Sequence, residues 1–367
     1  MAEKRPIEYA KAACDMMMRK FDAPLLPPVN EAGVTRFHYH QGVFLSGMQK
    51  TYALCGDRRY LDYIKAWVDA CFDAEGNLKW CDRTQLDDMQ AGILLFRLLD
   101  EEDNPLYRKT LDELVANIEA FPKNKEGGFW HKGRYPNQMW LDGLYMAGPI
   151  TAEYAKRNNR PDLSALVIEQ ALMMEKNTRD EKTGLLYHAY DESREAPWSD
   201  PVTGRSPEFW GRAIGWVPVA VLDDLEFLDP GMEGYDGLQD LVRNLLHALL
   251  PFQTESGMWY QVVDKPEVPG NWPETSCTCL YVAAICKAIR LGLLSGDKPG
   301  LLDAAKKGFD AVISRLEWDE NGPLIGGVCV GTGVGDWEHY IHRPTSVNDL
   351  HGVGAFLLMC EEAEQVL

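Results

Sequence analysis

The sequence predicts an all-α protein, an (α/α)6 barrel built as one domain over residues 1–367. Two observations carry that prediction. Two kinds of helix alternate along the chain, and a short segment of glycine plus aromatic or apolar residues recurs between them.

The first kind of helix is amphipathic with a charged face, at 6–20, 57–72, 105–121, 161–176, 235–252 and 299–315. The second kind is apolar nearly all round, at 39–54, 84–99, 137–156, 207–228, 273–291 and 346–366. A helix that is apolar on every side is buried on every side, so the second kind lines an inner ring and the first coats it. The connecting segments include Gly127-Gly128-Phe129-Trp130 and Ser256-Gly257-Met258-Trp259-Tyr260. Glycine makes each turn and the residues after it extend into a short strand. Recurrence at roughly 50–70 residues is what a closed ring of helical hairpins produces. The proline-rich stretches 24–28 and 263–273 read as connections between hairpins.

Composition narrows the function. A formal net charge of −19 argues against nucleic acid, because a polyanion needs clustered Lys and Arg. One local group of Arg or His still suits a small anion. No run approaches the ~20 apolar residues of a membrane span, and residues 1–6 lack the apolar core of a secretion signal. The nine cysteines are scattered, with Cys14, Cys71, Cys286 and Cys360 inside apolar patterns. Cys277 and Cys279 lack the second pair that a structural zinc requires. These read as reduced, buried thiols and point to the cytoplasm.

In such a ring the starts of the inner helices face one end of the cavity, so polar residues there are the candidates. Asp142 sits among Trp140, Leu141, Tyr145 and Met146. Burial raises its pKa, which suits an acid kept protonated at neutral pH, while the helix N-terminus pulls the other way. Asp87 and Asp88 hold the equivalent place one inner helix earlier. Adjacent helical residues point about 100° apart, so one at most faces the cavity, and the other suits an outward dipole partner. His131, Lys132 and Arg134 precede the Asp142 helix, and His188 stands at the same point one hairpin later. Trp210, Arg212 and Trp216 combine a cation in an apolar helix, which wants a carboxylate, with a possible aromatic wall for a sugar. His38 and His40 form an HxH, but no further ligand at metal spacing accompanies it. His339 and His342 read as loop or surface groups. Residues 331–335 read as a close-approach loop at the cavity mouth, since no Walker lysine is present.

Four strings resemble glycoside hydrolase family 105, the unsaturated rhamnogalacturonyl hydrolases: Tyr39-His40-Gln41-Gly42-Val43, Leu86-Asp87-Asp88-Met89, 138–146 around Met139-Trp140-Leu141-Asp142, and Phe209-Trp210-Gly211-Arg212-Ala213-Ile214-Gly215-Trp216. The resemblance runs to Pro344-Thr345-Ser346-Val347-Asn348-Asp349 and Gly352-Val353-Gly354. It implies an (α/α)6 barrel with no metal or organic cofactor. It implies Asp142 as general acid/base and Asp87 as partner carboxylate. It also implies that Tyr39, His40, His131, Lys132, Gly133, Arg134, Tyr135, His188, Trp210, Arg212 and Trp216 surround the substrate, with Thr332 and Gly333 on a loop that differs among members. The implied partner is a small unsaturated disaccharide, handled by a monomer or weak homodimer without nucleic acid or membrane. Rival readings are an unsaturated glucuronyl hydrolase, an ordinary inverting glycosidase, a sugar epimerase and a non-catalytic sugar-binding toroid, because fold alone does not choose chemistry.

Overall fold

The computed structural model describes residues 4–29, 33, 35–294 and 298–367. Residues 1–3, on which the reading of the N-terminus partly rests, lie outside that set. The chain runs as α1 (Pro6–Lys20) and α2 (Tyr39–Cys55), α3 (Arg58–Ala70) and α4 (Leu94–Glu101), α5 (Pro105–Glu119) and α6 (Asp142–Asn158). It continues as α7 (Pro161–Thr178) and α8 (Gly211–Leu225), α9 (Tyr235–Leu249) and α10 (Thr275–Arg290), then α11 (Lys298–Ser314), the short α12 (Trp337–Ile341) and α13 (Leu350–Val366). Proline at the first helical position starts α1, α5 and α7, where its missing N–H costs nothing. Asp57, Asn104 and Glu274 cap α3, α5 and α10 through their side chains.

The inner helices close on themselves. α2 packs on α13, α13 on α10, α10 on α8, α8 on α6, and α6 on the turns that lead into α4, which return to α2. The result is the expected (α/α)6 ring, with α1, α3, α5, α7, α9 and α11 outside it. Glycine allows the tightest of these contacts. A Cβ at Gly354 would lie 2.6 Å from the Val43 carbonyl oxygen, so α13 meets the backbone of α2.

Several inner helices begin later than the periodicity predicts. Residues 84–93 are not α-helical but form two 3-10 turns, Leu86–Asp88 and Gln90–Ile93. Here the chain is pinched between neighbours: a Cβ at Gly42 would overlap Gln90, and one at Gly92 would overlap Ile150 and Leu114. Before α6 the chain is extended as β1 (Gln138–Trp140), antiparallel to β2 (Ala189–Asp191). A hairpin of β3 (Glu317–Asp319) and β4 (Gly322–Leu324) follows α11. β5 (Val328–Cys329) pairs with β6 (Thr345–Ser346), and single bridges join Gln85 to Lys132 and Trp210 to Val262. These extended pieces make a rim around one end of the ring, where side chains alternate between cavity and core.

The other end is shut by buried charge. Asp223 on α8 accepts from Lys50 of α2 at 3.1 Å and pairs with Lys287 of α10, whose side chain is 4% exposed. Among the described residues no helix is long and apolar enough to cross a membrane. All nine cysteines are free; Cys277 and Cys279 are fully buried, and burial pushes their thiols well up.

Candidate active site

A cavity of about 290 Å³ opens at the rim end, near the lower bound of roughly 300 Å³ usual for small-molecule sites. Tyr39, His40, Asp87, His131, Lys132, Arg134, Tyr135, Asp142, Trp210, Arg212, Trp216, Thr332 and Gly333 all line it. Residues far apart in sequence thus converge. His188 and Gly133 are expected at the wall but stand behind it. His188 is fully buried behind Asp142, and Gly133 donates its N–H to the Thr84 carbonyl at 2.6 Å, which shapes the turn carrying Lys132 and Arg134.

Asp142 opens α6. Its Oδ2 lies 3.1 Å from His188 Nε2. Burial pushes the Asp142 carboxyl up, but the hydrogen bond and charge of His188, with the charge of His131, outweigh it and hold the group below its usual range. The same burial pulls His188 below the ordinary imidazole value. The two partners' shifts oppose each other, and burial decides for the histidine: at neutral pH the pair is a carboxylate facing a neutral imidazole. The balance that the sequence leaves open at Asp142 is thus decided against burial, chiefly by His188. Asp87, a like charge, does push Asp142 up, but it is the weaker influence.

Asp87 is held from two sides. His131 Nε2 is 3.2 Å from its Oδ1, and Lys132 Nζ is 2.5 Å from its Oδ2. Although burial opposes ionisation, the interactions with His131 and Lys132 keep Asp87 far below the usual carboxylate range. Asp88 does not reach the cavity, nor does it point outward: it is fully buried. It accepts from the Asp82 backbone N–H at 2.5 Å and from Gln85 Nε2 at 3.2 Å, and burial raises its carboxyl to about 7. Asp88 braces the loop while Asp87 faces the site.

Aromatic faces form the wall. His131 stacks on Trp140 with centroids 4.5 Å apart, Tyr135 stacks on the same indole at 5.2 Å, and the Arg134 guanidinium covers Tyr135. Trp216 stacks on Tyr145 at 4.5 Å, so it serves core and wall together. Arg212 lines the cavity and has a protein carboxylate nearby. Its guanidinium is spent on the carbonyls of Cys329 at 2.6 Å and Val330 at 3.0 Å, with Glu274 at 4.0 Å, and it lies over Trp210. It pins the strand that leads to Thr332 and Gly333. Thr332 Oγ1 is 2.7 Å from His339 Nε2, so His339 braces the mouth loop, whereas His342 is on the surface.

Sequence reasoning passed over Arg343, which lines the cavity with its Nε buried and without a partner among the described residues. It also passed over Asp349 and His351. Their ligand atoms and that of His40 all lie within 4.8 Å of one another, a grouping hidden in sequence by some 300 intervening positions. His351 Nε2 is 2.9 Å from the Cys329 carbonyl, whereas its Nδ1 approaches Asp349 Oδ1 at 2.9 Å without forming a hydrogen bond.

A helical toroid with a paired carboxylate at an inner-helix start and a wall of indole, imidazole and guanidinium defines a carbohydrate-active protein. The family model Glycosyl Hydrolase Family 88 matches residues 9–367. A family 105 glycoside hydrolase of C. acetobutylicum ATCC 824 is 34% identical with a TM-score of 0.90, over 98% of this chain and 99% of that one. The unsaturated rhamnogalacturonyl hydrolase YesR of Bacillus subtilis (strain 168) is 25% identical over 283 residues, 75% of this chain and 77% of YesR. The unsaturated glucuronyl hydrolase of Bacillus sp. GL1 shares the fold at 15% identity, with a TM-score of 0.70 over 96% of this chain and 94% of that one. The chain belongs to the glycoside hydrolase family 88/105 group of unsaturated glycuronyl hydrolases.

Proposed function

We propose that this hydrolase releases the non-reducing-end 4,5-unsaturated uronic acid from lyase-generated disaccharides such as unsaturated galacturonyl-rhamnose. The similarity to YesR supports the rhamnose aglycone. Asp142 is the acid/base. One observation supports this reading most: of the two carboxylates on the wall, Asp87 is locked in its ionised form by contacts to Lys132 and His131, which leaves Asp142 for proton traffic.

A single working carboxylate does not suit attack at the anomeric carbon, where one carboxyl acts as acid and a second as base or nucleophile. It suits hydration of a vinyl ether. Asp142, protonated once the anionic sugar arrives, gives its proton to C4, and the C4=C5 pair forms that bond. Positive charge at C5 is shared with the ring oxygen. The Asp142 carboxylate then takes a proton from water as the water oxygen bonds to C5. The hemiketal opens at its ring oxygen, and the hemiacetal left at C1 expels the aglycone. Asp87, fixed by Lys132 and His131, keeps its carboxylate ionised near the developing positive charge. His40 and Arg343 offer donors to the sugar and its carboxylate, and Trp140, Trp210 and Trp216 bound its faces.

Incubation with unsaturated disaccharides from several polymers, followed by loss of the double-bond absorbance, tests the reading. Fastest loss on the rhamnose-linked substrate is expected. Fastest loss on a glucuronyl amino sugar would move the chain to the glucuronyl hydrolases. Activity on saturated glycosides alone, or a product of unchanged mass, would select the inverting glycosidase or the epimerase.

A further inference from the structure

Tyr340 does not line the cavity, yet it touches the group behind Asp142. It sits on α12, is fully buried, and stacks on Trp210 with planes 16° apart. Its carbonyl accepts from Gln261 Nε2 at 3.1 Å, and Gln261 Oε1 accepts from Trp210 Nε1 at 3.0 Å. The phenol is thus fixed in place. Its Oη accepts the Gly335 backbone N–H at 3.2 Å and lies 2.6 Å from His188 Nδ1.

The protons on this chain can be assigned by elimination. Burial keeps the phenol protonated. A phenol has one proton to donate, and among the described residues the acceptor within reach is His188 Nδ1. The reverse arrangement, with Nδ1–H donating to Oη, strands the phenol proton in a buried place. It also turns a bare Nε2 lone pair toward the Asp142 carboxylate. Every proton is satisfied when Tyr340 donates to Nδ1 and His188 Nε2–H donates to Asp142.

We infer that Tyr340 is a positioning residue that holds His188 as the neutral Nε2–H tautomer and thereby sets which proton state Asp142 adopts. The inference rests on the acid/base role proposed for Asp142. The same phenol oxygen ties in Gly335, so the mouth loop bearing Thr332 and Gly333 joins the acid through one hydrogen-bonded chain. Other ionisable groups act on this pair: Asp87 and His131, Arg212 on α8, Glu208 just before it, and Cys329 on β5. Tyr340→Phe leaves all of them in place.

The test is long-range proton–nitrogen correlation on full-length protein labelled at histidine nitrogen, with His188→Gln used only to assign the resonance. At neutral pH the wild type is expected to show His188 protonated on Nε2 and bare on Nδ1. In Tyr340→Phe nothing opposes a proton on Nδ1. His188 then titrates higher by about one pH unit, a tenfold gain in proton affinity, and the kcat/KM profile changes shape with pH. A merely structural role would lower the rate equally at every pH. A wild-type His188 protonated on Nδ1 overturns the inference, as does a folded Tyr340→Phe whose titration and rate profile match the wild type. If the variant does not fold, the wild-type spectrum still decides. The tautomer is read without substrate, so a failure of the hydrolase reading is distinguished by Asp142→Asn.

Discussion

Asp142→Asn is the substitution that isolates the chemistry. The amide keeps the size of the carboxylate, and its oxygen remains an acceptor for the Nε2–H of His188 at 3.1 Å. What it lacks is a transferable proton. General acid–base groups contribute about 10²–10⁴ in rate. The variant is therefore expected to lose at least about 100-fold in kcat, which is about 2.7 kcal/mol on the barrier. KM stays close to wild type, because the walls formed by His40, Trp210 and Trp216 are untouched. Loss of double-bond absorbance measures the rate, and thermal unfolding separates a chemical defect from a folding defect. A folded variant within about five-fold of wild type refutes the assignment, since that is far less than a lost general acid costs.

Three further outcomes follow from the geometry. His188 and His131 hold free Asp142 ionised against burial, and kcat/KM reports the free enzyme, so kcat/KM falls with rising pH above that depressed pKa. In the complex the substrate carboxylate is a like charge that raises it, so kcat persists to higher pH than kcat/KM; coincident limbs would contradict this. Asp223→Ala leaves Lys287 buried without that partner and is expected to cost about 3–5 kcal/mol in urea unfolding with kcat unchanged. In the wild type Lys287 and Lys50 overcome burial to hold Asp223 at about 2. Its stabilisation is complete above the unfolded carboxylate pKa and is lost as pH falls toward about 2. Exhaustive chelation is expected to leave activity intact, and activity lost and then restored by one divalent ion would place a metal on His40, Asp349 and His351.

Much of the fold is legible in sequence because burial on one face or on all faces leaves different periodicities. α1 begins and ends where its amphipathic pattern does. The inner-helix starts are less legible. Residues 84–93 carry a helical apolar pattern, but packing against Gly42 and Ile150 tightens them into 3-10 turns, a tertiary effect that no local propensity records. At the site, Asp142 stands out as a carboxylate among apolar neighbours, and the resemblance brought in Tyr39 and Thr332. Arg212 reads in sequence as a cation in want of a carboxylate, but carbonyls more than 100 residues away that also hold it leave no local trace. Tyr340 gave no signal, since its meaning lies in a proton it donates to a histidine 152 residues distant.

The proposed mechanism requires water to add across C4=C5 and not at the anomeric carbon. Wild-type enzyme, run briefly in heavy-oxygen water and separately in deuterium oxide, decides this in one early mass spectrum of each product. Hydration places the heavy oxygen on C5 of the opened uronate and deuterium on C4, with the double bond lost at the first turnover. Heavy oxygen at C1, with the double bond intact in the first product, would exclude vinyl-ether hydration and place this enzyme among the ordinary inverting glycosidases.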